Sequence, residues 1–426
     1  MKKIIILIFL LFIMIHSKAQ EVLKLEDCYD LAINNYPLIQ QKEIIKKYEE
    51  NRLSQLDKKY LPMLNLNLQA SYQSDVTALS MDGATANMIG MQLPDISKDQ
   101  YRANLNIQQL IWDGGLSREQ RKIENLDTRL KEQNLEVELY KIKDQINQLF
   151  FNNMLLEKQM KILDLGKENL LNNIETLKQL VDQGMALNSE VNTLSAELIT
   201  MDQQLTELKH NRLAVLQMLG VYIGKEIGEN QKFQFEDVEL NLEVVDIERP
   251  EIKSFELSKL KLLASMEQIE ASKLPMISGS GQFGIGRPAL NMLSDNFDPY
   301  YKIGINLSWN LWDWGQKNLD KSLLNINSEI IKTQQLSFVH NIRIKNKQSS
   351  SEVQKLKEFL SQDEKIIELR TNIRATAESQ LKKGSLTSTD YLTELNKETQ
   401  SKLNFEYHKI QLALAKLNLK YNLGQL

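Results

Sequence analysis

Four segments of the chain alternate between apolar and polar residues. They are residues 64–73, which follow Pro62, and residues 101–108, 277–285 and 301–311. An alternation with a period of two places one set of side chains on each face of a β-strand, which makes one face apolar and leaves the other wet. Runs of about ten such residues with aromatic ends are typical of strands in outer-membrane proteins. The alternative is a sheet packed on a soluble core, in which strands are usually shorter.

Two long stretches have the composition of uninterrupted helices. Residues 116–182 contain no proline and one glycine, Gly166, and residues 316–383 contain neither. Both stretches are rich in residues that favour helices, and their apolar residues recur at spacings of three and four. Such seams predict coiled-coil packing of α-helices. At 1.5 Å per residue, a helix over 116–182 is about 100 Å long.

Shorter helices are predicted on either side of the first long one. They cover about 26–60, before the first strand, and about 188–219, after a turn at Gly184. Their combined length matches that of the helix at 116–182. The two shorter helices are therefore expected to stack end to end beside the long one.

The chain is an internal duplication. The motif at 111–115 (IWDGG) recurs 200 positions later at 311–315 (LWDWG), and the glycine turn at Gly184 recurs at Gly384. Each half is predicted to contain a helix, a strand, a loop, a strand, a long helix, a glycine turn and a helix. The predicted organisation is a first structural repeat at 20–220, an equatorial belt segment at 221–248 and a second structural repeat at 249–426.

The first 19 residues resemble a secretory signal. Lys2 and Lys3 precede an apolar run at 4–15, and Ser17-Lys18-Ala19 forms a small-x-small cleavage site. The alternative is an uncleaved N-terminal anchor. Removing this signal changes the formal charge from −4 to −7, because it removes three lysines. The chain shows no basic stripe of the kind that binds nucleic acid.

The sequence offers little chemistry. The histidines after the signal, His210, His340 and His408, are isolated within helical patterns, and Cys28 is the single cysteine. A G-x-x-G-x-G motif at 281–286 lies inside an alternating strand and has no helix directly after it, which argues against a nucleotide site. The Glu and Lys residues of the helices are interpreted as solvated faces and intrahelical pairs. We therefore predict no enzymatic activity, no metal and no cofactor.

Four strands cannot close a membrane barrel, since the smallest such barrels have about eight strands. An unpaired strand edge is not tolerated in lipid. Other copies of the chain are therefore expected to complete the sheet. Two copies would supply about eight strands and three about twelve, and the larger barrel leaves a useful lumen.

These features together resemble the TolC-like outer membrane efflux protein family. The residues that carry the resemblance are the signal, the early helix with Asn34-Asn35-Tyr36-Pro37, the strands led by proline, the corners at 112–115 and 312–315, and the glycine turns. The resemblance covers nearly the whole chain after the signal. Each motif is short, and their order and spacing make the resemblance specific.

The resemblance implies a mainly α-helical fold with some β-structure. The expected assembly is a homotrimer with a long α-helical barrel and a shared 12-stranded transmembrane β-barrel, four strands per chain. The implied function is that of an exit duct, a channel subunit of a tripartite efflux or type I secretion system, in the cell outer membrane and extending into the periplasm. The implied partners are a periplasmic adaptor (membrane fusion) protein, an inner-membrane pump or ABC transporter, and outer-membrane lipid.

The resemblance also suggests residues for the periplasmic aperture. Asp390 matches the first acidic position of the family's ring, Thr393 stands where a second acid often lies, and Leu386 stands where a basic latch residue can lie. Glu190 is the equivalent of Asp390 in the first repeat. Gly184 and Gly384 match the turns at the helix tips onto which adaptors dock. The plainer interpretation is that the carboxylates cap helices at their first turn and the glycines cap helices at their ends.

Aromatic residues mark the ends of the predicted strands. Trp112 and Trp312 are expected at the periplasmic membrane interface, and the alternative is that they pack at the corner between strand and helix. The outer interface is predicted at Tyr72, Tyr101, Tyr300 and Tyr301. The rival class is a soluble periplasmic coiled-coil adaptor or structural protein. That class explains the signal and the helices, but it does not explain the four alternating strands.

Overall fold

The structure is a computed structural model that describes residues 22–76, 96–237 and 246–426. The predicted signal at 1–19 and part of the predicted belt lie outside these residues. The helices are α1 (Leu25–Asn35), α2 (Gln41–Lys58), α3 (Leu116–Asp182), α4 (Asn188–Ile223), α5 (Pro250–Ala271), α6 (Gln316–Lys382) and α7 (Ser388–Leu423). The strands are β1 (Leu23–Lys24), β2 (Met63–Tyr72), β3 (Asp99–Trp112), β4 (Phe233–Gln234), β5 (Met276–Arg287) and β6 (Asp298–Ser308).

The long helices follow the composition of the chain. Helix α3 begins and ends at the predicted residues, and α6 covers all but the last residue of its predicted stretch. None of the helices in the described part of the chain combines the length and the apolar character that crossing a membrane requires.

The prediction of one helix over 26–60 is wrong. Tyr36 has an extended backbone (φ −67°, ψ 131°), and a 3-10 turn over Pro37–Gln40 separates α1 from α2. Proline disfavours a helical conformation in the residue before it, which explains the break. Helix α4 is longer than predicted and ends at Ile223, because the helix passes through Gly220 and stops where Gly224 adopts a left-handed conformation (φ 68°).

The four alternating segments form one antiparallel sheet in the order β2-β3-β5-β6. The register keeps the two faces distinct across all four strands. One row of the apolar face is Leu66, Leu105, Phe283 and Tyr301, and one row of the polar face is Asn65, Asn106, Gln282 and Lys302. The predicted alternation is therefore confirmed, although β6 ends at Ser308 and not at Leu311.

The described residues leave the apolar face of this sheet uncovered. Ile303 and Ile305 of β6 expose 72% and 78% of their surface, and Leu66 and Leu68 of β2 are similarly exposed. Strands β2 and β6 form the two edges, and each pairs with a single neighbour among the described strands. An exposed apolar face of this size marks a surface made for lipid or for another protein.

The sheet belongs to a compact unit that comprises Glu43–Glu132 and Ser254–Thr333. Its helical segments lie side by side in the same order as the strands. Ion pairs connect α2 with α3 (Arg52 to Glu124, 2.7 Å), α3 with α5 (Lys122 to Glu267) and α5 with α6 (Lys321 to Glu270). Helices α2 and α6 therefore form the two edges of this layer, next to edge strands β2 and β6 in sequence.

The other compact unit comprises the described residues of Met1–Lys42 together with Gln133–Lys253 and Gln334–Leu426. Within it, β1 pairs with β4 in parallel. The rings of Phe233 and Phe235 pack edge-on against Phe150 and Phe151 of α3, with centroids 5.2 and 5.0 Å apart. These contacts fix part of the predicted belt segment to the long helix.

The repeated corner motif works as a helix cap. The Asp113 carboxylate accepts hydrogen bonds from the backbone N–H groups of Gly115 (3.0 Å) and Ser117 (2.8 Å). Asp313 accepts the equivalent bonds from Gly315 (3.0 Å) and Lys317 (3.3 Å). The motif recurs because both repeats must turn from a strand into a long helix with the first backbone donors satisfied.

The second residue after the tryptophan differs between the two corners. Gly114 has φ 68°, and its equivalent, Trp314, has φ 55°. A Cβ atom on Gly114 would lie 2.6 Å from the Cβ atom of Leu274, whereas Trp314 is 88% exposed. The second corner therefore accommodates a side chain at this position, whereas contact with Leu274 leaves no room for one in the first corner.

We expect Gly114→Ala to lower the free energy of unfolding by about 2 kcal/mol, because it adds a steric clash to an unfavourable backbone conformation. Gly115→Ala is the matched control, since Gly115 has φ 86° and a Cβ atom added there would have no neighbour within 4 Å. Thermal unfolding followed by circular dichroism measures both variants. Equal losses in the two variants would show that the contact with Leu274 does not matter.

Candidate functional site at the helix turns

The two glycine turns join the long helices to their partners with the same geometry. Gly184 (φ 73°) and Gly384 (φ 70°) are both left-handed. The N–H of Met185 donates to the carbonyl of Leu180 (2.8 Å), and the N–H of Ser385 donates to the carbonyl of Gln380 (3.0 Å). This is the glycine C-cap that the sequence suggested, and it makes both turns compact.

The two turns expose different side chains. Met185 and Leu187 of the first turn are largely exposed apolar residues, whereas Lys383 and Ser385 are exposed in the second. A partner that docks here would therefore meet an apolar turn and a polar, basic turn.

Asp390 lies in the first turn of α7 and takes part in its cap. The hydroxyl of Thr387 accepts a hydrogen bond from the N–H of Asp390 (3.2 Å) and donates one to its carboxylate (2.8 Å). This reciprocal arrangement satisfies a free backbone donor and places a negative charge at the positive end of the helix. The helix-start role is thus present, and the carboxylate remains exposed.

Two of the aperture candidates share one groove. Asp390 and Thr393 line an open groove of about 540 Å³ between the end of α6 and the start of α7, and Leu386 lines it too. Glu190 lies outside the lining of this groove. Its carboxylate accepts a long hydrogen bond from the hydroxyl of Ser388 (3.4 Å), which links the first repeat to the second.

A buried polar contact lies beneath the turns. Tyr391 is completely buried, and its hydroxyl accepts a hydrogen bond from the side-chain amide of Asn173 (2.6 Å). Around it, leucines of α3, α4, α6 and α7 form one apolar cluster that includes Leu170, Leu177, Leu194, Leu381 and Leu395. Burial raises the pKa of the Tyr391 hydroxyl to about 12, so that it stays protonated at neutral pH.

A buried carboxylate joins α6 to α7. Glu398 is 2% exposed and accepts hydrogen bonds from Arg374 (2.8 Å), Lys402 (2.8 Å) and Thr371 (2.9 Å). Burial alone would raise the pKa of Glu398, but the bonds from Lys402, Arg374 and Thr371 hold it below its ordinary value. The interpretation of the helix carboxylates as solvated is wrong for this residue. Lys402 and Glu398 do form an intrahelical pair, of the kind predicted for the helices in general.

The aromatic candidates lie at the ends of the strands. Trp112 is the last residue of β3, and Trp312 lies between β6 and α6; both are exposed. Tyr72, Tyr101 and Tyr301 lie on the apolar face of the sheet. Tyr300 lies on the polar face, where its hydroxyl donates to the side-chain carbonyl of Asn104.

The residues that most often bind metals or act as nucleophiles are dispersed or buried in the part of the chain that the structure describes. Within these residues, no group of three His, Cys, Asp or Glu side chains could hold a metal ion. Cys28 is buried, and burial and the charges of Asp27 and Glu26 raise its pKa to about 12, which keeps the thiol protonated and unreactive.

Comparison with solved structures places this architecture in a known class. The chain has the fold of outer-membrane channels: the CmeC outer membrane channel of Campylobacter jejuni matches it with a TM-score of 0.67 at 16% sequence identity, over 94% of this chain and 85% of CmeC. The outer membrane protein VceC of Vibrio cholerae matches with a TM-score of 0.68 at 14% identity, over 94% of this chain and 96% of VceC.

A third structure, CusC, was solved in a study of folding and transmembrane channel formation. It matches with a TM-score of 0.71 at 12% identity, over 94% of this chain and 91% of CusC. No profile of a known protein family matches the sequence, and no curated protein does. The predicted resemblance to TolC-like channels is confirmed for the fold.

Proposed function

We propose that the chain is a subunit of an outer-membrane channel, a passive exit duct of a tripartite efflux or type I secretion system. It acts in the outer membrane, extends into the periplasm and catalyses no reaction. The observation that carries this proposal is the four-stranded sheet with one uncovered apolar face, one polar face and two open edges. Lipid would cover the apolar face, and the polar face would line a pore.

The open edges support assembly with further copies of the chain. Strand β6 of one copy would pair with β2 of the next, which is a head-to-tail contact that closes into a ring. Three copies would give a 12-stranded barrel with a water-filled lumen. Pairing of β6 with β2 would also satisfy the backbone N–H and C=O groups of both edge strands, so that none is exposed to lipid.

The helical layer carries a matching free face. On α6, exposed apolar residues recur at spacings of four, three and four, the pattern of a coiled-coil seam. They are Leu319, Leu323, Ile326 and Ile330. At the other edge of the layer, α2 exposes Ile44 and Tyr48. We infer that α6 of one copy packs against α2 of the next, which extends the trimer from the strands into a helical barrel.

The helix turns are the proposed contact for a periplasmic adaptor, which would connect the duct to an inner-membrane pump or ABC transporter. Gly184 and Gly384 keep the turns compact enough to fit between the helices of a partner. The exposed Met185 and Leu187 provide the apolar contact that such an interface needs at its centre.

Lipid interfaces are proposed at the aromatic residues of the apolar face and the corners. Tyr72, Tyr101 and Tyr301 would mark one membrane interface, and Trp112 and Trp312 the other. Tyr300, which lies on the polar face of the sheet, would instead face the proposed pore.

Insertion of the purified protein into planar lipid bilayers tests the function. We expect discrete conductance steps from the wild-type protein. We expect Asp390→Asn to weaken block by divalent cations, because it removes one exposed carboxylate per chain from the proposed aperture. Glu364→Gln, at an exposed position within α6, removes the same charge away from the turns and is the control. Protein that never produces conductance and remains soluble without detergent would favour the coiled-coil adaptor instead.

A further inference from the structure

Among the described strands, the polar face of the sheet carries two cationic side chains. Register places Arg102 of β3 opposite Gln69 and Gly286, and Lys302 of β6 opposite Gln282. Lys302 lies near the middle of its strand and is exposed, whereas Arg102 is half-buried. Neither forms an ion pair with a carboxylate of the described residues. Both side chains therefore lack a directly paired counter-charge among the described residues.

This face carries fewer negative charges than positive charges. Asp298, the first residue of β6, is the one carboxylate that register places on the polar face of the described strands. It lies opposite Gly286, in the same row as Arg102, and accepts a hydrogen bond from the hydroxyl of Ser294 (2.9 Å). Asp298 therefore offsets Arg102 at the loop end of the strands and leaves the charge of Lys302 unbalanced.

The remaining polar side chains add hydrogen-bond donors without adding charge. They are mostly carboxamides, namely Asn65, Asn67, Gln69, Asn104, Asn106, Gln108, Gln282 and Asn306. A carboxamide N–H group can donate to a carboxylate, phosphate or sulfate oxygen, and an adjacent cation strengthens such binding.

We propose that the polar face of the strands makes the duct favour the passage of anions over cations. This inference rests on the proposed function, in which that face lines the pore. Lys302 of each copy would supply an unpaired positive charge midway along the barrel wall. Its influence extends about 8 to 10 Å into the lumen at ordinary ionic strength, enough to act on ions that pass along the wall.

The exposed carboxylate of Asp390 would act with the opposite sign at the aperture, so that the selectivity of the wild type combines two contributions. The ion selectivity of the wild type alone therefore does not isolate the contribution of Lys302, and variants must be compared. Lys302→Gln removes the charge and keeps a polar side chain of similar length, and Lys302→Arg keeps the charge.

Reversal potentials across bilayers in a KCl gradient give the ratio of chloride to potassium permeability. We expect Lys302→Gln to lower this ratio roughly twofold, since a single nearby charge in water contributes an energy of the order of RT. Lys302→Arg should keep the wild-type ratio, and Arg102→Gln should lower it. Lys46→Gln, on the exposed surface of α2, makes the same charge change away from the strands and should leave the ratio unaltered.

If the ratio is unchanged or increased in both Lys302→Gln and Arg102→Gln, the inference is overturned and the proposed function still stands. A wild-type protein that never conducts would overturn the proposed function, and the inference with it. If Lys302→Gln fails to insert, Arg102→Gln still decides, because it removes a charge from a different strand of the same face.

Discussion

Replacing Ile303 by arginine is expected to prevent stable insertion into the outer membrane. Ile303 lies near the middle of β6 on the apolar face and exposes 72% of its surface within the chain. An arginine there displaces few contacts of the isolated chain. In lipid, an arginine on the outer face of a barrel costs about 2–4 kcal/mol near the bilayer centre, and three copies in a ring would multiply the cost.

Asn306→Arg is the matched control for this prediction. Asn306 lies on the polar face of the same strand, where an arginine would project into water. We expect Asn306→Arg protein to remain in washed outer membranes at the wild-type level and Ile303→Arg protein to be lost from them, as measured by membrane fractionation and immunoblotting. Equal retention of the two variants would show that the apolar face does not meet lipid.

Replacing Arg374 by methionine is expected to destabilise the contact between α6 and α7 strongly. Glu398 is almost fully buried, and Arg374 supplies one of its two cationic partners, at 2.8 Å. Removing one partner of a buried ion pair typically costs about 3–5 kcal/mol, because the remaining charge is left uncompensated. Lys402 still contacts Glu398 (2.8 Å), which places the expected loss at the lower end of that range.

Two further variants test whether the loss of stability comes from the buried ion pair. Arg370→Met is the control, because the pair of Arg370 and Glu394 (3.3 Å) is more exposed and is expected to contribute less than about 1 kcal/mol. In the double variant, Glu398→Leu combined with Arg374→Met should recover part of the loss, since no buried charge remains. Thermal unfolding followed by circular dichroism provides the comparison. A loss in Arg370→Met as large as that in Arg374→Met would contradict the account.

The effect of Arg374→Met should depend on pH. The folded protein holds the pKa of Glu398 below its ordinary value of 4.5, so the stabilisation is fully present above pH 4.5 and is lost as the pH falls through the lowered pKa. We therefore expect the difference in unfolding temperature between wild type and Arg374→Met to be constant near neutral pH and to shrink below pH 4.5. A difference that stays the same down to pH 3 would show that the charge of Glu398 is not involved.

Much of the fold could be predicted because its signals are local. The absence of proline and the scarcity of glycine in residues 116–182 predicted α3, and alternation predicted the four strands. The exception is the predicted helix over 26–60, which breaks at Tyr36 because Pro37 disfavours a helical conformation in the residue before it. The predicted last strand also extends to Leu311, whereas β6 ends at Ser308. Just after that end, the side-chain N–H of Trp309 donates to the backbone carbonyl of Lys273 (3.0 Å).

The contacts around the candidate site follow a different rule. The helix-start role of Asp390 is local and could be predicted from the sequence, and the structure adds Thr387, three residues earlier, as its partner in the cap. The contact of Asn173 with Tyr391 spans 218 residues, and that of Arg374 with Glu398 depends on which faces of two helices meet. Helical periodicity shows that a face is apolar, but it does not show which buried polar residues will find each other across it.

The mass of the detergent-extracted protein tests the central claim most directly, because the proposed duct exists only as an assembly. Light scattering, corrected for bound detergent, is predicted to give three chains, each of 49.3 kDa less the mass of any cleaved signal. The same sample should resist dissociation in SDS until it is heated. A monomer or dimer that needs no detergent and is recovered from the periplasmic fraction would contradict the account, since its strands could not form a shared barrel.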